Sequence, residues 1–566
     1  MVVRRWTRDA RLSLARLPAF GIGRVPDAPA HPIRDPWPGD PAQGAQLMRG
    51  SLTVDGVAVA VAPGQWATQG VPEAARAQVL GFAWLRDLRA LGTDAARLRA
   101  RALVGDWLAQ ARPDPLSRAA EVVGARLAAW LGHYDFFAAS ADDGFRQRLM
   151  GRLLADARTL AASVPTPMHD VRALVALKGL IVAGVAMPEN SGFLARAMRY
   201  LTPELNRQVL PDGCHAARSP AVQLAVLREL IEIRIALAAS QIGPPLALSA
   251  CLDRMAPVLR AMRHGDGGLA LFNGTRESSA AMVDLVLQQA GRGRVAASEM
   301  REGGFQRISS GRAALLMDCG PPAPPGFDRE VHAGTLSFEL SFGRERMIVN
   351  CGAAISPAWR DALRATAAHS TLTVEDRNST ELRPGGGIGR RPKTVSVERN
   401  ESGQAVWLDA SHDGYEPNFA VRHRRKLYVG ANGDEIIGED SLEGARGRAP
   451  PRRFAVRFHL HPSVRVRLDD EPDAVVITLP GSGAARFLMR VDGGTPVLEE
   501  SVYCGGDKPV PTQQIVVQVG LPAEETAAAR SEDGHDAQDI GADTAQPGAE
   551  ASSAAQTVRW ALTRLD

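Results

Sequence analysis

The chain has 566 residues, of which 45% are apolar, 23% are charged and 5% are aromatic. This length favours more than one domain, and the apolar fraction excludes a fully disordered chain. Its 66 basic and 63 acidic residues leave a net charge of +3, which is not typical of a dedicated nucleic-acid-binding protein. The five cysteines form no CxxC pair, which argues against a disulfide framework or a zinc knuckle.

The first half of the chain has the periodicity of helices. Trp84, Leu88 and Leu91 recur at positions i, i+4 and i+7, which predicts a helix that ends at Gly92. Further helical patterns follow, with short Gly- or Pro-containing breaks and no strand patterns between them. Residues 1–300 are therefore predicted to form a helical array, either a bundle or an α/α toroid.

The second half has a period of two. Phe338, Leu340 and Phe342 fall on one face of a predicted strand, and the chain turns back at Gly343. Similar short alternating segments, separated by turns, continue towards the end of the chain. Residues 301–566 are predicted to form an antiparallel β-sandwich, so the fold class is α+β with a helical domain first.

One segment interrupts the sandwich pattern. Residues 522–556 carry eight acidic residues, one base (Arg530) and no apolar periodicity, which predicts a disordered acidic insertion. Residues 557–565 alternate again, and this pattern predicts that the chain returns to the sheet for a last strand.

Targeting signals are not evident in the sequence. The longest apolar stretch, residues 180–188, is too short to span a bilayer, so no membrane-spanning segment is predicted. The N-terminal residues have scattered charges and no apolar core of a secretory signal. Export by another route and a cytoplasmic location both stay open at this point.

Three places combine polar and reactive side chains. His215 and Arg218 precede a helix N-terminus, where free amides favour an anion, so the pair could move a proton and grip a carboxylate. His332 and His369 each stand at the entrance to an apolar strand, and could meet to bind a metal or to act as acid and base. For each of these residues a structural role is the alternative.

Two more residues are candidates for ligand contacts. Asn273 lies in a Gly-rich turn that lacks the spacing of a phosphate loop, and it could line a cleft or simply form the turn. Arg364 precedes His369 by five residues and could bind an anionic group.

Several sequence blocks are similar to those of a known family. These blocks are LPDGCHAARSPAVQLAVLREL, HAGTLSFELSFGRERMIVNCG and ATAAHSTLTVED, with DPWPGDPAQGAQLMRG and GFAWLRDLRALG nearer the N-terminus. In order and spacing they resemble the bacterial heparinase II/III-like family of polysaccharide lyases over nearly the whole chain. The resemblance implies an incomplete α/α toroid, a following antiparallel β-sandwich, a substrate cleft between them, and a place in the cell envelope or periplasm.

The resemblance also implies β-elimination on an acidic, uronic-acid-containing polysaccharide. The substrate carboxylate is neutralised, a base removes the C5 proton, and an acid protonates the departing 4-oxygen. We expect catalytic roles for His215, His332 and His369, and substrate contacts from Arg218, Asn273 and Arg364. The alternatives are a non-catalytic polysaccharide-binding or scaffolding protein, and a hydrolase or epimerase on the same fold.

The metal site implied by the resemblance is altered in this sequence. Family members often hold zinc through His, Asp and His, and His332 and His369 match the two histidines. Asn350 stands in place of the Asp, and Gly334 replaces the Asp of a His-Ala-Asp run. We predict a polar cluster of His332, Asn350 and His369 with zinc bound weakly or not at all, because an amide is a poorer ligand than a carboxylate.

Overall fold

The computed structural model describes most of the chain. The described residues are 25–66, 70–110, 114–190, 192–291, 293–354, 357–444, 451–481, 484–506, 508–520 and 556–565. The chain divides into a first unit, Met1–Ala216, Val222–Pro257 and Leu285–Arg294, and a second unit, Ala217–Ala221, Val258–Asp284 and Val295–Asp566. The sequence-based division at residue 300 assigns 258–284 to the helical domain, whereas this compact second unit includes it.

The first half of the chain is predominantly helical. Its helices are α1 (Pro41–Met48), α2 (Glu73–Gly81), α3 (Leu85–Ala90), α4 (Asp94–Ala109), α5 (Ala120–Gly132), α6 (Tyr134–Phe137), α7 (Asp143–Ser163), α8 (Val171–Ala186), α9 (Gly192–Gln208), α10 (Pro220–Ala239), α11 (Leu246–Ala261) and α12 (Ala280–Ala290). Helices α5 and α8 cross closely at Gly124 and Gly179, where a Cβ on Gly179 would lie 2.3 Å from the Cα of Gly124. Any side chain at this crossing would therefore push the two helices apart.

One expectation for the helical half is wrong, because a short hairpin interrupts it, with β1 (Ser51–Val54) paired to β2 (Val57–Ala60). The helix predicted from Trp84, Leu88 and Leu91 is confirmed as α3, which has Trp84 at its N-cap and ends before Gly92. Phe82 adopts φ 59, which ends α2 and separates it from α3. The ring of Phe82 packs against Trp84, Trp107 and Trp130, with centroids 5.1 to 5.8 Å apart. This buried aromatic packing compensates for the unfavourable left-handed backbone.

The second half is built from antiparallel strands. They are β3 (Glu299–Met300), β4 (Phe305–Ser310), β5 (Ala313–Asp318), β6 (Phe338–Phe342), β7 (Glu345–Val349), β8 (Leu372–Val374), β9 (Val395–Ser402), β10 (Ala405–His412), β11 (Val421–Val429), β12 (Glu435–Gly444), β13 (Phe454–Leu460), β14 (Arg465–Leu468), β15 (Ala474–Thr478), β16 (Arg486–Asp492), β17 (Thr495–Tyr503), β18 (Val510–Val519) and β19 (Gln556–Arg564). Two short helices, α13 (Pro357–Arg364) and α14 (Glu416–Phe419), connect them.

The strands form two sheets that share one core. One sheet has the order β14-β15-β16-β19-β12-β11-β10-β9, and the other has the order β17-β18-β13-β7-β6-β5-β4-β3 with β8 paired to β13. Phe338 of one sheet stacks on Trp560 of the other at 5.8 Å, within a continuous cluster of buried side chains from both sheets. This arrangement confirms the predicted helical region followed by an antiparallel sandwich.

The hairpin predicted around Gly343 is also present. Phe342 pairs with Glu345 across the turn, and Gly343 has φ 60, which glycine adopts readily. Every residue of β6 is buried, including those on the face away from the sandwich core. Glu339 lies on that second face, where residues from 258–284 cover it.

The last strand lies in the middle of its sheet. Strand β19 pairs with β12 on one side and β16 on the other, which confirms the strand predicted for 557–565. The predicted acidic insertion, 522–556, lies outside the described residues except for Gln556. Within the part of the chain that the structure describes, the helices are too short or too polar to cross a bilayer.

Candidate functional site

A buried carboxylate organises the polar interior of the second unit. Glu339 accepts hydrogen bonds from Nε2 of His264 at 2.7 Å and from the backbone N–H groups of Leu271 and Asn350 at 3.0 and 2.9 Å. Burial opposes the charged carboxylate, but these donors and Arg346 hold the pKa of Glu339 below its usual value. The carboxylate is therefore ionised and ties the turn before Leu271 to strands β6 and β7.

The structure brings His332 and His369 together. The N–H of Gly274 donates to Nε2 of His332 at 3.0 Å, so the ring proton of His332 is assigned to Nδ1. Nδ1 of His332 donates to Nε2 of His369 at 3.0 Å, which assigns the proton of His369 to its own Nδ1. That proton is donated to the carbonyl of Ala365 at 2.8 Å. All four ring nitrogens are used in one directed chain of hydrogen bonds.

The environment keeps both of these imidazoles neutral. Burial lowers the pKa of His332 well below its usual value, and the neighbouring His369 and Arg364 lower it further. Burial also lowers the pKa of His369 to about 4, against the opposing effect of its hydrogen bond to Ala365. Neither ring offers a free lone pair to a substrate proton or to a metal while this chain of hydrogen bonds is intact.

Asn350 lies next to this chain but has different partners. Its Oδ1 accepts the N–H of Ser370 at 3.0 Å, and its Nδ2 is buried without a hydrogen-bond partner among the described residues. A Cβ built on Gly334 would lie 2.6 Å from Cδ2 of His369, so the ring occupies the space that a side chain at position 334 would need. Glycine at position 334 therefore leaves room for the ring of His369 in its contact with His332.

The donor set does not fit zinc. The imidazole nitrogens are engaged with each other and with the backbone, and the amide oxygen of Asn350 already accepts a hydrogen bond. Over the described ranges, His, Cys, Asp and Glu side chains do not gather in threes in a metal-binding arrangement. Weak zinc binding at His332, Asn350 and His369 stays a prediction, and it requires these hydrogen bonds to break.

His215 is buried in the first unit. Its Nε2 donates to Oε1 of Gln208 at 2.9 Å, and its backbone N–H donates to Oε1 of Gln223 at 2.7 Å. Burial lowers the pKa of His215 to about 3, although the charge of Asp170 opposes this shift. The residue is thus a neutral histidine that joins the turn at residue 213 to helices α9 and α10, and its catalytic role stays a prediction.

Arg218 belongs to the second unit and clamps a loop there. Its guanidinium forms an ion pair with Asp318 and donates to the carbonyls of Gly303, Gly304 and Pro321. Four of the five guanidinium N–H donors are thus engaged within the protein. The geometry favours a structural role over the predicted contact with a substrate.

Asn273 and Arg364 are also held by backbone groups. Nδ2 of Asn273 donates to the carbonyl of Arg218 at 2.9 Å, and its Oδ1 accepts the N–H of His332 at 3.1 Å. Arg364 is 1% exposed and donates to the carbonyls of Val331, Arg383 and Gly387. These contacts favour the alternative in which Asn273 forms its turn, and the substrate contacts of Asn273 and Arg364 stay predictions.

A second polar group in the same unit is partly accessible. The hydroxyl of Tyr503 donates to Glu277 at 2.5 Å, and Nε2 of His461 lies 3.9 Å from the same carboxylate. The nearby imidazole of His461 lowers the pKa of Glu277 to about 2, whereas burial raises the pKa of Tyr503. The side chains of His461 and Glu277 are 23% and 40% exposed. Sequence reasoning missed this group because its members come from three distant segments.

Comparison with known proteins identifies relatives of this chain. The family model described as heparinase II/III-like, C-terminal, matches residues 292–561. FtsZ-localized protein C from Caulobacter vibrioides is 30% identical over 469 residues, which is 79% of this chain and 80% of that protein. The match to this relative therefore includes most of the helical half as well as the sandwich.

Solved structures share the fold at low identity. A heparinase III crystal structure superposes with a TM-score of 0.70 and 14% identity, covering 98% of this chain and 89% of that one. A mutant of the heparan sulfate lyase HepC from Pedobacter heparinus gives a TM-score of 0.62 and 15% identity, with coverages of 99% and 88%. These likenesses establish the architecture, and they carry no information about activity.

Proposed function

The chain belongs to the heparinase II/III-like family. We propose that it is a non-catalytic binding protein on this fold and that it does not catalyse β-elimination. The observation that supports this proposal is the closed hydrogen-bond chain through His332 and His369. A general base needs a lone pair within reach of the substrate proton, and a general acid needs a proton that it can give up. Both functions are suppressed in buried, neutral rings whose nitrogens are all engaged.

The Caulobacter relative supports a particular kind of binding. That protein is named for its localization with FtsZ, and it matches this chain over most of both lengths. We propose that this chain likewise localises with FtsZ and contributes a heparinase-like fold as a scaffold. A protein that localises with FtsZ lies in the same compartment as FtsZ. This proposal therefore favours a cytoplasmic location over export.

A lyase acting on a uronic-acid polysaccharide is the second candidate. It is favoured by the group of Tyr503, His461 and Glu277, in which His461 and Glu277 are partly accessible, because tyrosine and histidine are suitable acids and bases for proton transfer. On this alternative the reaction would use a different set of side chains from His215, His332 and His369.

Two measurements test these candidates. The full chain is mixed with a panel of uronic-acid polysaccharides, and the ultraviolet absorbance of a new C4–C5 double bond is followed beside a heparinase III positive control. We expect no absorbance above buffer. A signal that Tyr503→Phe abolishes would establish the lyase alternative, and a signal that His215→Ala abolishes would restore the role predicted for His215.

The second measurement concerns FtsZ directly. A fluorescent fusion of the full chain is imaged with labelled FtsZ in the source cells, and purified chain is co-sedimented with FtsZ polymers. We expect the two proteins to overlap in cells and to sediment together. A diffuse fusion and an unbound purified chain would contradict the proposed function.

A further inference from the structure

The outer face of the eight-stranded sheet carries an apolar row that crosses the strands. In register, Trp407 of β10 lies beside Tyr428 of β11, and Tyr428 lies beside Ile437 of β12. Trp407 and Ile437 are each 40% exposed, and the rings of Trp407 and Tyr428 are 4.9 Å apart. The solvent face of an antiparallel sheet is ordinarily polar, so three such neighbours in one row are unusual.

The polar groups within this row are not used inside the protein. Among the residues that the structure describes, the indole N–H of Trp407, the hydroxyl of Tyr428 and the carboxamide of Asn400 form no hydrogen bond. Asn400 extends the row, because it pairs in register with Trp407. Apolar surface and free polar groups therefore coincide, which is the composition of the centre of a protein-binding surface.

Among the described residues, the basic side chains around the row form ion pairs, whereas two of the acidic side chains do not. The bases beside the row are engaged with acids: Arg424 with Asp409 and Glu443, and Lys426 and Arg559 with Glu439. Arg422 is likewise paired, with Glu416. Two carboxylates beside the row, Glu398 and Glu435, have no ion pair over the described part of the chain. The charge left for a partner is therefore negative.

We propose that this face, defined by Trp407, Tyr428, Ile437, Glu398 and Glu435, docks a segment of a partner protein that combines apolar side chains with basic ones. The apolar side chains cover the aromatic row, and the basic side chains pair with the two free carboxylates. This inference rests on the proposed function, because it names the surface through which the chain is held at FtsZ. The ion pairs around the row form the polar rim that excludes water from the buried centre.

The test measures the affinity of purified FtsZ from the source organism for the full chain. The double variant Trp407→Ala/Tyr428→Ala removes the centre, and we expect it to weaken binding about ten-fold or more. Glu398→Gln/Glu435→Gln removes only charge, and we expect a loss of about three-fold that shrinks at high salt. Trp359→Ala is the matched control, because Trp359 is 39% exposed and lies on α13, outside this face.

The outcomes separate this inference from the proposed function. If the wild type binds FtsZ and the aromatic double variant, with unchanged melting temperature, binds equally well, the docking surface lies elsewhere and the inference is overturned. If the wild type does not bind FtsZ at all, the proposed function falls and the inference falls with it. If the aromatic variant instead abolishes a wild-type dimer seen by sedimentation, a second copy of this chain is the occupant and the inference is wrong.

Discussion

The interior and the outer face of the sandwich differ in how their polar groups are used. Inside, His332, His369 and Glu339 are buried, and each has its hydrogen bonds completed by the protein. Outside, Trp407 and Tyr428 are accessible, with polar atoms that form no hydrogen bond over the described residues. Polar groups already satisfied within a fold stabilise it but have little left to offer a ligand. We therefore interpret the interior polar groups as structural and the outer face as the surface proposed for recognition.

Removing the buried carboxylate of Glu339 is expected to have the largest effect on stability. Glu339→Ala leaves the donors of His264, Leu271 and Asn350 without a partner in a buried site. We expect the free energy of unfolding to fall by about 3 kcal/mol or more, measured by urea denaturation. The outer-face control Glu398→Ala, which removes an exposed carboxylate without an ion pair, is expected to change it by about 0.5 kcal/mol or less. Equal effects of the two variants would contradict the comparison.

The next effect concerns pH and His459, another buried histidine. Nδ1 of His459 lies 2.8 Å from the hydroxyl of Ser501, its Nε2 donates to Ala367, and burial lowers its pKa to about 3. In the unfolded chain His459 binds a proton near pH 6.5, but in the folded protein it binds one only near pH 3. The stability that the neutral, buried imidazole contributes is therefore fully present above pH 6.5 and is lost as pH falls towards 3. Between these values the free energy of unfolding falls by about 1.4 kcal/mol for each pH unit.

A matched pair of variants isolates this slope. His459→Gln removes the titrating group, and the free energy of unfolding should then depend less steeply on pH between about 6 and 4. Ser501→Ala, which removes the hydroxyl beside Nδ1 but keeps the imidazole of His459, is the control and should keep the steeper pH dependence. An unchanged slope in His459→Gln would mean that this imidazole is protonated in the folded protein.

A smaller effect is expected at the altered metal position. Asn350→Asp restores a charged oxygen ligand beside His332 and His369, and we expect zinc affinity to rise about ten-fold relative to wild type. Titration calorimetry with zinc chloride, together with metal analysis of the purified proteins, measures this change. Stoichiometric zinc in the wild-type protein would show that the hydrogen bonds between His332 and His369 open for a metal. The conclusion that these side chains do not fit zinc would then be wrong.

The smallest effect is expected on the stability of the outer face. Trp407→Ala removes a ring that is 40% exposed and contacts Tyr428 across the strands. We expect a loss of about 1 kcal/mol or less, the size of a cross-strand pair, measured by urea denaturation. A loss as large as that of Glu339→Ala would mean that this ring is a structural element and would weaken the case for recognition.

The order of helices and strands, the return of the last strand and the family membership could all be predicted from the sequence. These features are local and periodic, so alternation around Phe338 and Trp560 is visible without knowledge of any distant contact. It also indicated that His332 and His369 would meet, because matched family blocks carry both residues. The break at Phe82 was not visible, because aromatic packing from other helices stabilises it.

The contacts of the candidate residues could not be predicted from the sequence. Arg218 and Arg364 look like ligands for an anion in the sequence, yet their donors are engaged by carbonyls up to 103 residues away. The register that aligns Trp407, Tyr428 and Ile437 on one exposed face likewise depends on strand pairing. Burial and completed hydrogen bonds arise from long-range contacts, and these contacts separate a reactive histidine from a structural one.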